Sequence, residues 1–135
     1  MKPKLYLETT LASYLTARPT RDLIMSARQE ITSLWWAQRL ADFECVISQI
    51  VLDEAARGDA IAAKRRLAVL ASFPLLEINR EVAELAEQLI QAAALPANAV
   101  DDAGHIAVCA VHGVRFLLTW NFRHLANAEK TGSHP

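Results

Sequence analysis

Residues Lys4 to Glu8 read K-L-Y-L-E, a short apolar run that ends directly at an acidic residue. Consecutive apolar side chains are typical of a strand that is buried on both faces, as the strands of parallel sheets are. Three later runs share this character: Glu44 to Ser48, Pro74 to Ile78 and Arg115 to Thr119. We therefore predict four strands, the first of which ends at Leu7.

Segments with helical periodicity separate these runs. Apolar residues recur there at three- and four-residue steps, as on the buried face of a helix. The predicted helices cover Asp22 to Ala41, Val51 to Arg57, a segment capped by Asp59, Glu81 to Ala94 and Asp101 to His112. Strands that alternate with helices predict an α/β fold, with a small parallel sheet of about four strands and helices on both of its faces.

The size and composition of the chain limit what it does. Its 135 residues suit one compact domain, which we expect to span 1–128 and to be followed by a polar, disordered tail at 129–135. The net charge is −1, so no overall positive field attracts nucleic acid. We find neither an apolar signal segment nor a run of about 18 apolar residues. The distant Cys45 and Cys109 indicate neither a disulfide framework nor a zinc site, and we expect a soluble cytoplasmic protein.

Acidic and polar residues follow the predicted strands. Glu8 comes directly after the first strand, and Glu54 lies in the helix after the second. Asp101 and Asp102 open the helix before the fourth strand, and Asn121 follows that strand. Sites in open parallel sheets form at the carboxyl ends of the strands, so we expect these groups to converge there. Clustered carboxylates suit Mg²⁺ or Mn²⁺, which activate water for phosphate chemistry.

Each of these residues also has a simpler structural explanation. Glu8 is an acid at a helix N-terminus, where the helix dipole favours it. Asp101 and Asp102 are suitable capping residues, and Glu54 fits a solvated helix face. His105 lies on an apolar helix, where the pattern favours a partly buried, hydrogen-bonded histidine over a metal ligand.

Four blocks of the sequence appear in an order that a known family shares. They are Y-L-E-T-T at Tyr6–Thr10, V-L-D-E-A-A-R-G-D at Val51–Asp59, L-P-A-N-A-V-D-D-A-G-H-I-A at Leu95–Ala107 and H-G-V-R-F-L-L-T-W-N-F-R-H-L-A-N at His112–Asn127. The chain resembles the PIN-domain family, and within it the VapC-like toxins of type II toxin–antitoxin systems. The resemblance implies a PIN-like fold, a small parallel sheet flanked by helices.

The resemblance also implies roles for individual residues. Glu8, Glu54 and Asp102 would hold Mg²⁺ or Mn²⁺, and Asn121 would complete the catalytic set. Glu54 matches the second acid of the family better than Asp53 does. Supporting roles fall to Thr10, Asp101, Thr119 and His124.

The implied activity is metal-dependent hydrolysis of RNA phosphodiester bonds by the toxin of a toxin–antitoxin pair. The implied partners are an RNA substrate, a cognate antitoxin and a second copy of the chain. The long helix with Trp35 and Trp36 is the predicted homodimer interface. The predicted contacts to RNA phosphates are Arg18, Arg21, Arg115 and Arg123.

Some features depart from the family and leave alternatives open. Glu8 stands where members usually carry Asp, His124 stands where many carry a further Asp, and E-K-T-G-S-H-P follows where relatives continue with another strand. One alternative is a catalytically impaired PIN-like module that binds RNA or a partner. Another Mg²⁺-dependent phosphate enzyme would need a second acid after the first strand, which E-T-T-L-A lacks. A purely structural α/β protein does not explain why acids follow the strand ends.

Overall fold

A parallel sheet is the frame of the protein. The computed structural model describes residues 1–93, 96 and 99–121. Its strands are β1 (Lys4–Leu7), β2 (Glu44–Ser48), β3 (Leu75–Leu76) and β4 (Phe116–Leu118). All neighbouring pairs are parallel, and the strand order is β3-β2-β1-β4. The predicted α/β fold with a four-stranded parallel sheet is confirmed.

The central strand β1 is buried on both faces. Leu5 pairs with Cys45 of β2 and with Phe116 of β4. Successive strand side chains point to opposite faces, yet Leu5, Tyr6 and Leu7 are each at most 4% exposed. Other elements therefore cover both faces of the sheet, and the carboxyl ends of β1 and β4 lie side by side.

Six α-helices flank the sheet in the described part of the chain. They are α1 (Thr9–Thr16), α2 (Leu23–Arg39), α3 (Gln49–Ala55), α4 (Ala60–Leu70), α5 (Arg80–Ala93) and α6 (Val100–His112). Asp22 and Asp59 cap α2 and α4 by accepting hydrogen bonds from backbone N–H groups of the first turn. Gly113 ends α6 with a φ of +68°, a backbone conformation that favours glycine.

Several elements differ from the sequence prediction at their ends. α1 is not among the predicted helices because its eight residues follow β1 without a separating turn. β3 has two residues rather than the whole of Pro74 to Ile78, since within the described part of the chain it is an edge strand that pairs only with Ile47 and Ser48. α3 begins earlier than predicted and ends at Ala55 rather than Arg57.

The tryptophans of α2 pack inward. The ring of Trp35 stacks on Phe43, and that of Trp36 meets Phe73 edge-on. Both are partly buried against the core. The large apolar side chains of α2 that stay exposed are Leu23, Ile24, Met25, Ile31 and Leu34. A partner that docked on α2 would therefore meet these residues more than the two tryptophans of the predicted interface.

Some predictions fall on other parts of the chain. Arg123, His124, the predicted domain end at 128 and the predicted tail at 129–135 lie outside the described residues. Among the helices that are described, none combines the length and the apolar character needed to cross a bilayer.

Candidate active site

Polar side chains from three strand ends meet at the carboxyl edge of the sheet. Glu8 directly follows β1, Ser48 ends β2, and Thr119 directly follows β4. All three side chains are buried. The apolar core therefore ends in a layer of buried oxygen atoms, each of which needs a hydrogen-bond partner.

Glu8 is held through one of its two carboxylate oxygens. Thr10 donates to Glu8 Oε1 from its backbone N–H, at 3.0 Å, and from its hydroxyl. Thr119 donates its hydroxyl to the same oxygen at 2.7 Å. The backbone N–H of Trp120 donates to Thr10 Oγ1 at 2.9 Å, which ties α1 to the segment after β4. Hydrogen bonds from the described residues thus converge on Oε1, and Oε2 receives none of them.

A second network holds Glu54, which α3 brings to the same edge. Glu54 Oε1 accepts hydrogen bonds from the Thr9 hydroxyl at 2.6 Å and from His105 Nε2 at 2.5 Å. Nδ1 of His105 lies 2.6 Å from the Tyr6 hydroxyl, which in turn lies 2.7 Å from Ser48 Oγ. Because a carboxylate only accepts, Nε2 of His105 carries a proton. In the neutral imidazole, Nδ1 then accepts from Tyr6, and Tyr6 accepts from Ser48.

Opposing effects act on the carboxyl group of Glu54. Burial would raise its pKa, but the hydrogen bond and the electrostatic attraction of His105, helped by Thr9 and Arg57, hold that pKa below its ordinary value. Glu54 is therefore anionic at neutral pH. Burial raises the pKa of Tyr6 above its ordinary value, so the Tyr6 hydroxyl keeps its proton as a hydrogen-bond donor.

Asp102 lies in the first turn of α6, about one helical turn before His105. Its side chain is buried, and Asn121 Nδ2 lies 3.1 Å from each of its carboxylate oxygens. The backbone N–H of Asn121 donates to Thr119 Oγ1 at 2.9 Å. Asn121 therefore connects Asp102 to Thr119, and Thr119 connects it to Glu8.

Glu8, Glu54 and His105 form what we call the acidic cluster, since their ligand atoms lie within 4.8 Å of one another. Carboxylates this close repel unless a cation or protons compensate their charge. His105 uses both nitrogens on Glu54 and Tyr6, whereas each carboxylate keeps a second oxygen. The ligand atoms that remain for a metal ion are therefore carboxylate oxygens, which fit Mg²⁺ or Mn²⁺. Asp102, the third predicted ligand, lies outside this cluster.

Neighbouring acids on α3 and α6 have different surroundings. Asp53, next to Glu54, is exposed and accepts a hydrogen bond from a glutamine one turn earlier. Asp101, next to Asp102, forms an ion pair with Arg57 at 2.8 Å. In each set of adjacent acids, one therefore belongs to the buried hydrogen-bond system, and the other forms its contact at the surface.

The predicted RNA-contacting arginines do not share one location. Arg115 precedes β4 and lines a small cleft with Lys4, at the start of β1. Because parallel strands begin at one edge and end at the other, Arg115 lies at the edge opposite to the acidic cluster. Arg115 therefore does not adjoin the acidic cluster, and its predicted contact with RNA phosphates stays a prediction. Arg18 and Arg21 lie between α1 and α2.

Two contacts of Glu54 go beyond the sequence prediction. A buried, hydrogen-bonded His105 is expected, but its partner is one of the predicted metal ligands. The available signal is spacing, since Asp102 and His105 are three residues apart on one helix and therefore share a face. No pattern in the sequence predicts the contact of Thr9 with Glu54, because that hydrogen bond depends on how α3 packs beside α1.

A comparison with known protein families gives one match. The family model described as the PIN domain matches residues 21–130, well over half of the chain. The matched range includes Glu54, Asp102 and Asn121, and it begins after Glu8. No curated protein and no solved structure matches the chain.

Proposed function

The chain belongs to the PIN domain family, whose members are in general metal-dependent nucleases, and from this we propose that it is a Mg²⁺- or Mn²⁺-dependent endoribonuclease. The observation that carries the proposal is the meeting of Glu8 and Glu54 in the acidic cluster, at the carboxyl edge of a parallel sheet. Its proposed reaction is hydrolysis of an RNA phosphodiester bond.

Glu8 and Glu54 would hold the cation, with Asp102 acting directly or through water. A bound divalent cation supplies an activated water and offsets the charge that develops on the phosphate. Glu8 and Glu54 both direct Oε1 to protein donors. The second oxygen, Oε2, is thus the one that each carboxylate offers to a cation.

The neighbouring residues keep these carboxylates in place. Thr10 and Thr119 fix the orientation of Glu8 by donating to it from two different elements. His105 is a positioning residue, since it donates to Glu54 and is itself held by Tyr6. Such outer partners orient metal ligands and raise metal affinity. Asn121 does the same for Asp102.

We further propose that the enzyme is the toxin of a toxin–antitoxin pair and acts in the cytoplasm as a homodimer. The exposed apolar side chains of α2 support docking of a cognate antitoxin or of a second copy. The two cysteines, Cys45 and Cys109, are free and buried, which suits a reducing compartment.

Cleavage of purified tRNA and rRNA tests the proposal most simply. Wild-type protein is incubated with these RNAs in EDTA, in Mg²⁺ and in Mn²⁺, beside the variants Asp102→Asn and Asp101→Asn. We expect cleavage only with a divalent ion, its loss in Asp102→Asn and its retention in Asp101→Asn. The matched pair changes the same charge at adjacent positions, one buried against Asn121 and one paired with Arg57.

Two results would overturn this assignment. If folded wild-type protein cuts none of these RNAs with either ion, a catalytically impaired PIN-like module that binds RNA or a partner becomes the better explanation. If both aspartate variants cut as fast as the wild type, Asp102 has no part in the site.

A further inference from the structure

The cleft between α1 and α4 is a second polar surface, about 450 Å³ in volume. We call it the arginine cleft. Its polar lining residues are Ser13, Thr16, Arg18, Asp59, Arg65 and Arg66. Three arginines face one aspartate there, although the whole chain carries a net charge of −1. The cleft is therefore a local positive site on a protein without an overall positive field.

The charges of the arginine cleft are partly fixed in place. Arg66 donates from Nε to the Ala55 carbonyl oxygen at 3.0 Å and from Nη2 to the Arg57 carbonyl oxygen at 2.7 Å. Asp59 accepts a hydrogen bond from the backbone at the N-terminus of α4, so its negative charge already interacts with the end of that helix. Within the described part of the chain, Arg65 has no ion-pair partner. Its guanidinium group is thus available to an anionic ligand.

On both walls of the arginine cleft, hydrogen bonds connect a lining residue to Glu54 or to its neighbour in sequence. On one wall, Ser13 Oγ donates to the Thr9 carbonyl oxygen at 3.3 Å, and the Thr9 hydroxyl donates to Glu54. On the other wall, Arg66 is bonded to Ala55, the residue that follows Glu54. From Thr9 to Thr16, the eight residues of α1 rise about 10 Å along the helix axis. That distance corresponds to about three nucleotides at a stacked spacing of about 3.4 Å.

We propose that the arginine cleft binds the backbone of an RNA strand that flanks the bond to be cut, an assignment that rests on the proposed nuclease function. Arg65 and Arg18 contact phosphate oxygens in this assignment. Thr16 donates its hydroxyl proton to the Ala12 carbonyl oxygen at 2.8 Å, which leaves its lone pairs as acceptors. A ribose 2′-hydroxyl is a matching donor, and DNA lacks it.

Binding without cleavage tests the assignment. Fluorescence anisotropy of a labelled oligouridylate RNA is measured in EDTA with wild type, Arg65→Glu and Lys64→Glu. Lys64 is the exposed neighbour of Arg65 on α4, does not line the cleft and undergoes the same charge change. We expect about tenfold weaker binding for Arg65→Glu, and a slope of log affinity against log salt that is smaller by about 0.7. Lys64→Glu should stay near the wild type.

Thermal melting of Arg65→Glu and Lys64→Glu checks that both variants fold. A further cleft variant is Arg18→Gln, which lies in an exposed segment and whose RNA binding should also weaken. Equal losses in Arg65→Glu and Lys64→Glu would overturn the cleft, because a general charge effect would explain them. So would a wild type that does not bind the RNA, or one that instead binds a polyglutamate peptide in an Arg65-dependent way. A KM for RNA cleavage that is unchanged in Arg65→Glu overturns the cleft alone. Arg65-dependent binding without cleavage supports the cleft and overturns the nuclease.

Discussion

The acidic cluster and the arginine cleft lie toward opposite ends of α1 and are built in opposite ways. At the start of the helix, Glu8 is buried and takes directed hydrogen bonds from threonines of two elements. At the far end, Arg18 is exposed and Arg65 is partly exposed. Charge is thus fixed by buried partners in one region, whereas Arg18 and Arg65 of the other region are left to solvent.

This difference teaches what each region is suited to do. Buried, hydrogen-bonded carboxylates keep one geometry, which chemistry at a phosphate requires. Exposed arginines interact weakly with any single partner and are screened by salt, but they follow a flexible polyanion well. We therefore expect changes in the acidic cluster to affect the rate of cleavage, and changes in the cleft to affect RNA affinity.

The largest effect is expected from Glu8→Gln. This variant removes one of the two anionic ligands of the acidic cluster and keeps the side-chain volume. We expect cleavage to fall by more than the roughly 10- to 100-fold that changes in outer partners of metal ligands cost. Glu44→Gln is the matched control, since Glu44 is exposed at the start of β2. Initial rates that are equal in the two variants would contradict the account.

A smaller effect is expected from His105→Ala. It removes the donor that orients Glu54 and leaves the carboxylate itself in place. Mn²⁺ affinity, measured by calorimetry, should weaken by about 10- to 100-fold. His105→Gln, whose amide can still donate, should recover part of the loss. His112→Ala on the same helix is the control, because His112 bonds only the Glu77 carbonyl oxygen among the described residues. Unchanged Mn²⁺ affinity in folded His105→Ala would remove the positioning role.

In the wild type, a change in salt concentration should affect RNA binding by the arginine cleft far more than catalysis by the acidic cluster. Raising salt from about 50 to about 200 mM should weaken RNA binding by roughly two- to threefold for each arginine–phosphate contact. The KM for RNA should therefore rise, while kcat at saturating RNA should hardly change, since the acidic cluster is held by buried hydrogen bonds. Cleavage kinetics at both salt concentrations measure this. A change confined to kcat would break the distinction between cleft and cluster.

The smallest expected effect is on the free energy of unfolding at acidic pH. The pKa of Glu54 lies below its ordinary value of 4.5 in the folded protein. Its stabilising contribution is therefore complete above pH 4.5 and is lost as pH falls through the folded pKa. We expect the difference in unfolding free energy between wild type and Glu54→Gln, from urea titrations, to be constant near neutral pH and to shrink below pH 4.5. A difference that grows in acid would contradict this sign.

Much of the fold is predictable from the sequence because it follows from local patterns. Apolar runs that end in acids indicate buried parallel strands, and helical periodicity between them indicates the layers. The position of Glu8 at the end of β1 follows from the same pattern. α1 is less predictable, since its eight residues carry no separate start signal beyond Glu8 itself.

The contacts of the site depend on tertiary packing, which no local pattern encodes. Whether Glu54 or Asp53 faces His105 depends on how α3 lies against α6. At Gly104, an added Cβ would come within 2.6 Å of Ile50 Cδ1, so a glycine allows this close approach. The arginine cleft likewise joins α1 to α4, which are more than 40 residues apart along the chain, and spacing along the chain does not reveal it.

The measurement that tests the central claim most directly compares Glu54→Gln with Asp53→Asn. These adjacent acids differ in place, since Glu54 belongs to the acidic cluster and Asp53 is exposed. RNA cleavage rates with saturating Mn²⁺ are measured for both variants and the wild type. We predict that Glu54→Gln loses cleavage and that Asp53→Asn retains the wild-type rate. Retained cleavage in Glu54→Gln, or equal loss in both variants, would contradict the assignment of the acidic cluster as the catalytic centre.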